Sequence, residues 1–191
     1  MWMYSHFYAT LLSIFCTGEF VFMGHEIQCF IGRFETINEI VLPLGPIIPT
    51  IVELPQNFSC LFLCDAVYDT IHKDRNSDSN NDIEPFWFFN STINKYLEDN
   101  KPRGNFIYIE TVYCGGTGKQ SAGFFTDGKL LSTYTSDYHT IVRTFFSYPK
   151  TFLERPINKA LRQLGVIRDS KADEFDTIGL GRYRDMPNCD D

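Results

Sequence analysis

The sequence predicts an α+β fold, a mixed or antiparallel sheet with a hairpin in its C-terminal half, packed against several short helices. Three observations carry that expectation. Strand-like segments come in runs followed by helix-like ones, without the regular alternation of a doubly wound sheet. Asp127-Gly128 lies between two apolar stretches, and glycine supplies the positive φ that a tight hairpin turn requires. The chain has 191 residues, 43% hydrophobic and 21% charged, which suits one globular domain with a buried core. Aromatic residues reach 16%, with 18 Phe and 10 Tyr, so rings are expected to fill much of that core.

Taken in order, His25 to Ile31 alternates polar and apolar residues and reads as a first strand with Ile27, Cys29 and Ile31 on one face. Residues 40–55 carry Pro43, Pro46, Pro49 and Pro55, which cannot donate to a ladder. They predict extended or edge structure, not helix. Phe58 to Cys64 is a short strand, after which Asp65 caps a helix to about Lys73 with Val67 and Ile71 inward. Residues 74–84 form a polar, acidic loop. Asp74, Asn76 and Asp78 match three positions of a calcium loop, but Ser79 replaces its glycine and Pro85 its bidentate Glu. A helix is predicted from about Pro85 to Glu98, with Phe86, Phe89, Ile93 and Leu97 on one stripe. Asn105 to Cys114 reads as a central strand, apolar on both faces apart from Glu110. Ser121–Phe125 and Leu130–Thr135 form the hairpin, and Tyr138 to Phe146 is read as helix. Pro156 to Leu164 is a helix stopped by Gly165. Ser170 and Asp173 resemble a capping box for a last short helix to about Ile178, stopped by Gly179.

Residues 1–22 are expected to be a mis-assigned start or a disordered leader, with a single α+β domain over residues 23–191. The apolar run 2–16 is shorter than the roughly 20 residues of a membrane span and is broken by Ser5, His6, Thr10 and Ser13. It contains no Lys or Arg to open a secretory signal and no small-x-small cleavage site. Gly18-Glu19 can be encoded by a purine-rich stretch three codons before Met23, the arrangement of a ribosome-binding site read as protein.

The net charge of −7 and the lack of any Lys/Arg run argue against nucleic-acid binding. Of six cysteines, one is Cys16, which leaves the odd set Cys29, Cys60, Cys64, Cys114 and Cys189. Most sit in apolar contexts, and the Cys60/Cys64 spacing lacks zinc-knuckle form, so no metal site, no cofactor and a reducing cytoplasmic compartment are predicted. Cys114 to Ser121 resembles a phosphate loop, but Tyr113 replaces the leading glycine and Gln120 the magnesium hydroxyl residue. Gly179-Leu180-Gly181 lacks the rest of a dinucleotide fingerprint. His25, His72 and His139 are isolated from any recognisable nucleophile.

Glu110 is the most informative single residue. Its same-face neighbours are Tyr108 and Val112, so a free carboxylate there is costly to bury. The reading assigns it an ion pair, with Arg182 or Arg184 from the tail as partner. The alternative is a cleft holding Glu110, Tyr113 and Gln120 beneath the glycine-rich turn, in an enzyme of unstated reaction.

Two segments, YIETVYCGGTGKQSAGFF and PINKALRQLGV followed by DEFDTIGLGRYRD, carry a family likeness. The chain resembles a group of small uncharacterised bacterial proteins with an E-x-x-Y-x-G-G-x-G-x-Q strand-turn and a D-E-F-x-x-[IL]-G-L-G-R tail. The matching residues are Glu110, Tyr113, Gly115, Gly116, Gly118 and Gln120, then Asp173, Glu174, Phe175, Gly179, Gly181 and Arg182. The likeness covers the C-terminal half and leaves the Pro-rich half unmatched. It implies no enzymatic activity, and it implies by analogy an immunity protein of a polymorphic toxin system. The functional expectation is therefore a small acidic cytoplasmic binding protein, with Asp173, Glu174 and Asp176 steering a basic partner such as a toxin domain. A secreted structural module is the third reading if residues 1–22 are a real leader; only then do the sequons at Asn57 and Asn90 matter.

Overall fold

The computed structural model describes residues 25–45, 49–73, 81–114, 117–137, 155–183 and 185–186, with the side chains of residues 25, 113, 114, 117 and 137 outside that description. The strands are β1 (His25–Gly32), β2 (Ile51–Leu54), β3 (Phe58–Phe62), β4 (Asn105–Cys114), β5 (Thr117–Thr126) and β6 (Lys129–Asp137). They form one sheet in the order β2-β3-β1-β4-β5-β6, and every strand pairing is antiparallel. The helices are α1 (Phe34–Val41), α2 (Asp65–Lys73), α3 (Ser91–Asn100), α4 (Pro156–Leu164) and α5 (Glu174–Thr177). The α+β expectation holds.

Strand alternation divides the core in two. Phe30, Phe106, Tyr108 and Phe125 point to one face, where α1, α2 and α3 cover them with Ile37, Ile40, Val67, Ile71, Ile93 and Leu97. Ile27, Cys29, Ile107, Ile109, Ala122 and Phe124 point to the other, covered by Ile157, Ala160 and Leu161 of α4 and by Ile178 and Leu180. We call these the aromatic and aliphatic faces. Cover on both sides explains why β4 reads as apolar throughout. On the aromatic face the rings form a connected stack: Phe30, Phe86 and Phe89 all lie 5.0–5.5 Å from Tyr108, and Phe106 stacks on Phe125 at 4.9 Å.

Several expectations shift. A helix, α1, occupies Phe34–Val41 and a 3-10 turn follows at Leu42–Leu44, so among the described residues the strand of the Pro-rich region is the edge strand β2. Pro85 does not open a helix. The helix starts at Ser91, because the Asn90 side chain accepts hydrogen bonds from the amides of Thr92 and Ile93 at 3.0 and 3.1 Å. The predicted stripe of Phe86, Phe89, Ile93 and Leu97 is nonetheless buried, its first half carried by irregular chain. β5 begins at Thr117, which places Lys119 and Gln120 within the strand. The last helix is capped by Asp173 itself, which accepts from the amide of Asp176, and Ser170 takes no part in the cap. The helix read at Tyr138–Phe146, the acidic loop 74–80, the leader 1–22 and the glycine turn at 115–116 lie outside the described residues.

Cys29 and Cys60 are buried free thiols; burial first, and then the hydrogen bond to Cys29, pushes the Cys60 thiol well up. Cys64 is disulfide-bonded, which corrects the expectation that the cysteines are reduced. Among the described residues no helix is long and apolar enough to cross a membrane, and no group of His, Cys, Asp and Glu is placed to hold a metal.

Candidate functional site

β4 delivers Glu110 to the aromatic face, two residues beyond Tyr108 and opposite Ser121 of β5 and Gln28 of β1. The residue is 3% exposed. Two of its three donors are backbone amides. The amide of Trp87 donates to Oε1 at 2.7 Å and the amide of Phe88 donates to Oε2 at 3.1 Å. The Tyr108 hydroxyl donates to Oε2, also at 3.1 Å. Burial raises the Glu110 carboxyl above its ordinary range, against the opposing pull of the two amides, the Tyr108 hydroxyl and the Lys119 ammonium. Burial also holds the Tyr108 hydroxyl well above its usual value, with the neighbouring Glu110 charge adding to the effect.

These contacts fasten residues 81–90 onto the aromatic face over the middle of β4 and β5. Phe86 and Phe89 insert into the aromatic cluster, the Ser121 hydroxyl donates to the Pro85 carbonyl at 3.2 Å, and Asn90 anchors the far end as the α3 cap. Asn90 Nδ2 also donates to the Tyr68 hydroxyl at 2.9 Å and lies 3.1 Å from His72 Nε2, whose ring stacks on Tyr68. Gly123 lies beneath Phe86: a Cβ there would meet the Phe86 ring at 3.1 Å and Leu130 and Phe125 at 3.0 Å. Between the two buried anchors, Trp87 stays 53% exposed, with the Lys119 ammonium 5.0 Å from its ring centroid.

The residues singled out from sequence are dispersed by this architecture. Gln120 pairs with Thr111 and lies on the aliphatic face, so the sheet itself separates it from Glu110. Tyr113 pairs with Gly118, and its side chain is outside the described set. Glu110 and Gln120 therefore do not line one cleft. Arg182 also belongs to the aliphatic side: it donates to the Tyr183 hydroxyl at 2.8 Å, and Tyr183 packs on Phe62. The predicted Glu110–Arg182 ion pair is thus replaced by backbone amides, and Arg184 lies outside the described residues. Gln120 Oε1 and Thr111 Oγ1 are buried side by side with no hydrogen-bond partner among the described residues.

The acidic tail is largely structural. Asp173 caps α5 and accepts from Asn158 Nδ2 at 3.0 Å. Glu174 is 2% exposed and pairs with Arg162 Nε at 2.8 Å. Asp176 is exposed and sits against Gly181, where any Cβ would collide with its carboxylate. Of the three groups expected to steer a partner, Asp173 and Glu174 are thus engaged in holding the tail together, and Asp176 is the exposed one.

Sequence reasoning missed Trp87, Tyr108 and Asn90 as parts of this site. Asn90 carried a readable signal, an Asn immediately before a helical pattern. Trp87 carried none, because its exposure depends on how its buried neighbours dock. No protein-family model, curated protein or solved structure matches the chain.

Proposed function

We propose that this is an acidic binding protein that acts by occupying a basic protein partner, in the manner of an immunity protein neutralising a toxin domain. One observation carries the reading. The buried carboxylate with the most catalytic promise, Glu110, has both oxygens occupied by backbone amides and a tyrosine hydroxyl, the arrangement of a group that shapes a surface. The net charge of −7 supports a basic partner, since opposite charge speeds association and disfavours wrong pairings. The family likeness adds the immunity role by analogy.

Compartment is part of the same proposal. Free Cys29 and Cys60 favour the reducing cytoplasm, while the Cys64 bond stands against it, because disulfides persist in oxidising surroundings. Counting free thiols in native protein purified under alkylating conditions separates the two. The functional test is co-expression and co-purification with the product of the adjacent gene. A stable complex with relief of toxicity is expected; absence of both would remove the proposal.

A further inference from the structure

Trp87 projects from a segment that the core holds firmly on both sides. Burying the Glu110 carboxylate is unfavourable, and its visible product is the fixed backbone of Trp87 and Phe88. The flanking Phe86 and Phe89 are buried at 4% and 1%, so the segment is pinned on both sides of the indole. A large aromatic side chain on a backbone already ordered before binding loses little conformational freedom when a partner arrives. Tryptophan is also the side chain most enriched among residues that dominate binding energy.

The surroundings select the partner. Asp82 and Glu84 are exposed on the same loop, on the N-terminal side of Trp87. Lys119, under the indole, pairs across the sheet with Val112, which in turn pairs with exposed Glu26 of β1. The Lys119 ammonium is stacked on the ring, while Asp82 and Glu84 on the loop and Glu26 on the same face of the sheet are exposed acids. An aromatic centre with a negative rim fits an apolar recess ringed by Lys or Arg.

We propose that Trp87, held by the Glu110-locked loop and bordered by Asp82, Glu84 and Glu26, anchors the surface on which a basic protein docks. This rests on the binding-protein reading above and gives it a location, away from the acidic tail at residues 173–176. The site is built for a protein surface: its apolar part projects outward and its charge repels nucleic acid.

The experiment uses a phage-displayed random dodecapeptide library selected on the full chain, so that no partner need be known beforehand. Selected peptides are expected to be rich in Arg and Lys with an apolar residue, and to weaken as salt is raised. Trp87→Ala should lower their affinity by about tenfold or more, while Phe34→Ala, exposed at the opposite end of β1, leaves it unchanged. Glu26→Gln with Glu84→Gln should weaken them by a smaller factor and flatten the salt dependence. Circular dichroism of each variant checks that the fold is intact. Peptides that are acidic, peptides that bind Trp87→Ala equally well, or no enrichment at all would overturn the assignment of this surface. The adjacent-gene complex can still form in those cases, so the broader reading stands or falls on its own test.

Discussion

Glu110 and Thr111 are neighbours in β4, and their side chains leave the strand into opposite halves of the core. Both are nearly inaccessible, at 3% and 1%. On the aromatic face Glu110 meets three donors, two of them backbone amides of a loop that has no ladder to join. On the aliphatic face Thr111 Oγ1 and Gln120 Oε1 meet none among the described residues. The contrast teaches that burial alone says little about the role of a polar group. The carboxylate organises the chain that packs on it, because unpaired amides and an unpaired carboxylate satisfy one another. The hydroxyl and amide merely tolerate their place at a cost in lost hydrogen bonding.

Substitutions in β4 and β5 put this contrast to the test. The largest effect is expected from Tyr108→Ala, which removes a ring touching Phe30, Phe86 and Phe89 together with a donor to Glu110. A loss of about 4 kcal/mol in urea unfolding is expected. Glu110→Ala should cost about 3 kcal/mol, since it strands the Trp87 and Phe88 amides. Hydrogen exchange at those two amides should rise more than elsewhere, and uniform acceleration would contradict a loop-specific role. Gly123→Ala should cost about 1–3 kcal/mol by displacing Phe86, with Trp87 fluorescence reporting the shifted loop.

The pH dependence has a definite sign. A carboxyl raised in the folded state binds its proton more tightly folded than unfolded. Its stabilising contribution is therefore complete below its unfolded value of 4.5 and is lost as pH rises through the folded value. Glu110→Gln removes that titration. The stability of wild type relative to Glu110→Gln should fall as pH rises above the ordinary carboxyl range, and a parallel pair of profiles would show that Glu110 does not titrate with a raised pKa. Smallest is Thr111→Val, which swaps a partnerless hydroxyl for a methyl and should be neutral or stabilising by up to about 1 kcal/mol. A clear loss in thermal stability would reveal a partner for Thr111.

Much of this was legible beforehand where the cause is local. The Asp127-Gly128 turn, the α4 start at Pro156 and its stop at Gly165 follow from φ preferences and missing donors within a few residues. Residues 85–90 show where local signals compete. Pro85 suited a first helical turn, yet Asn90 supplies the cap, and the intervening backbone is held by Glu110 from a strand 22 and 23 residues away in sequence.

The sequence by itself determined the α+β class, the two-sided burial of β4 and the need of Glu110 for a partner, because each depends on periodicity or on the cost of burying charge. Tertiary structure decided who that partner is. Strand register put Gln120 and Arg182 on the far side of the sheet, and the packing of Phe86 and Phe89 brought two free amides to the carboxylate. Those same contacts left Trp87 outside. Its exposure comes from long-range docking of its neighbours, which no local pattern encodes.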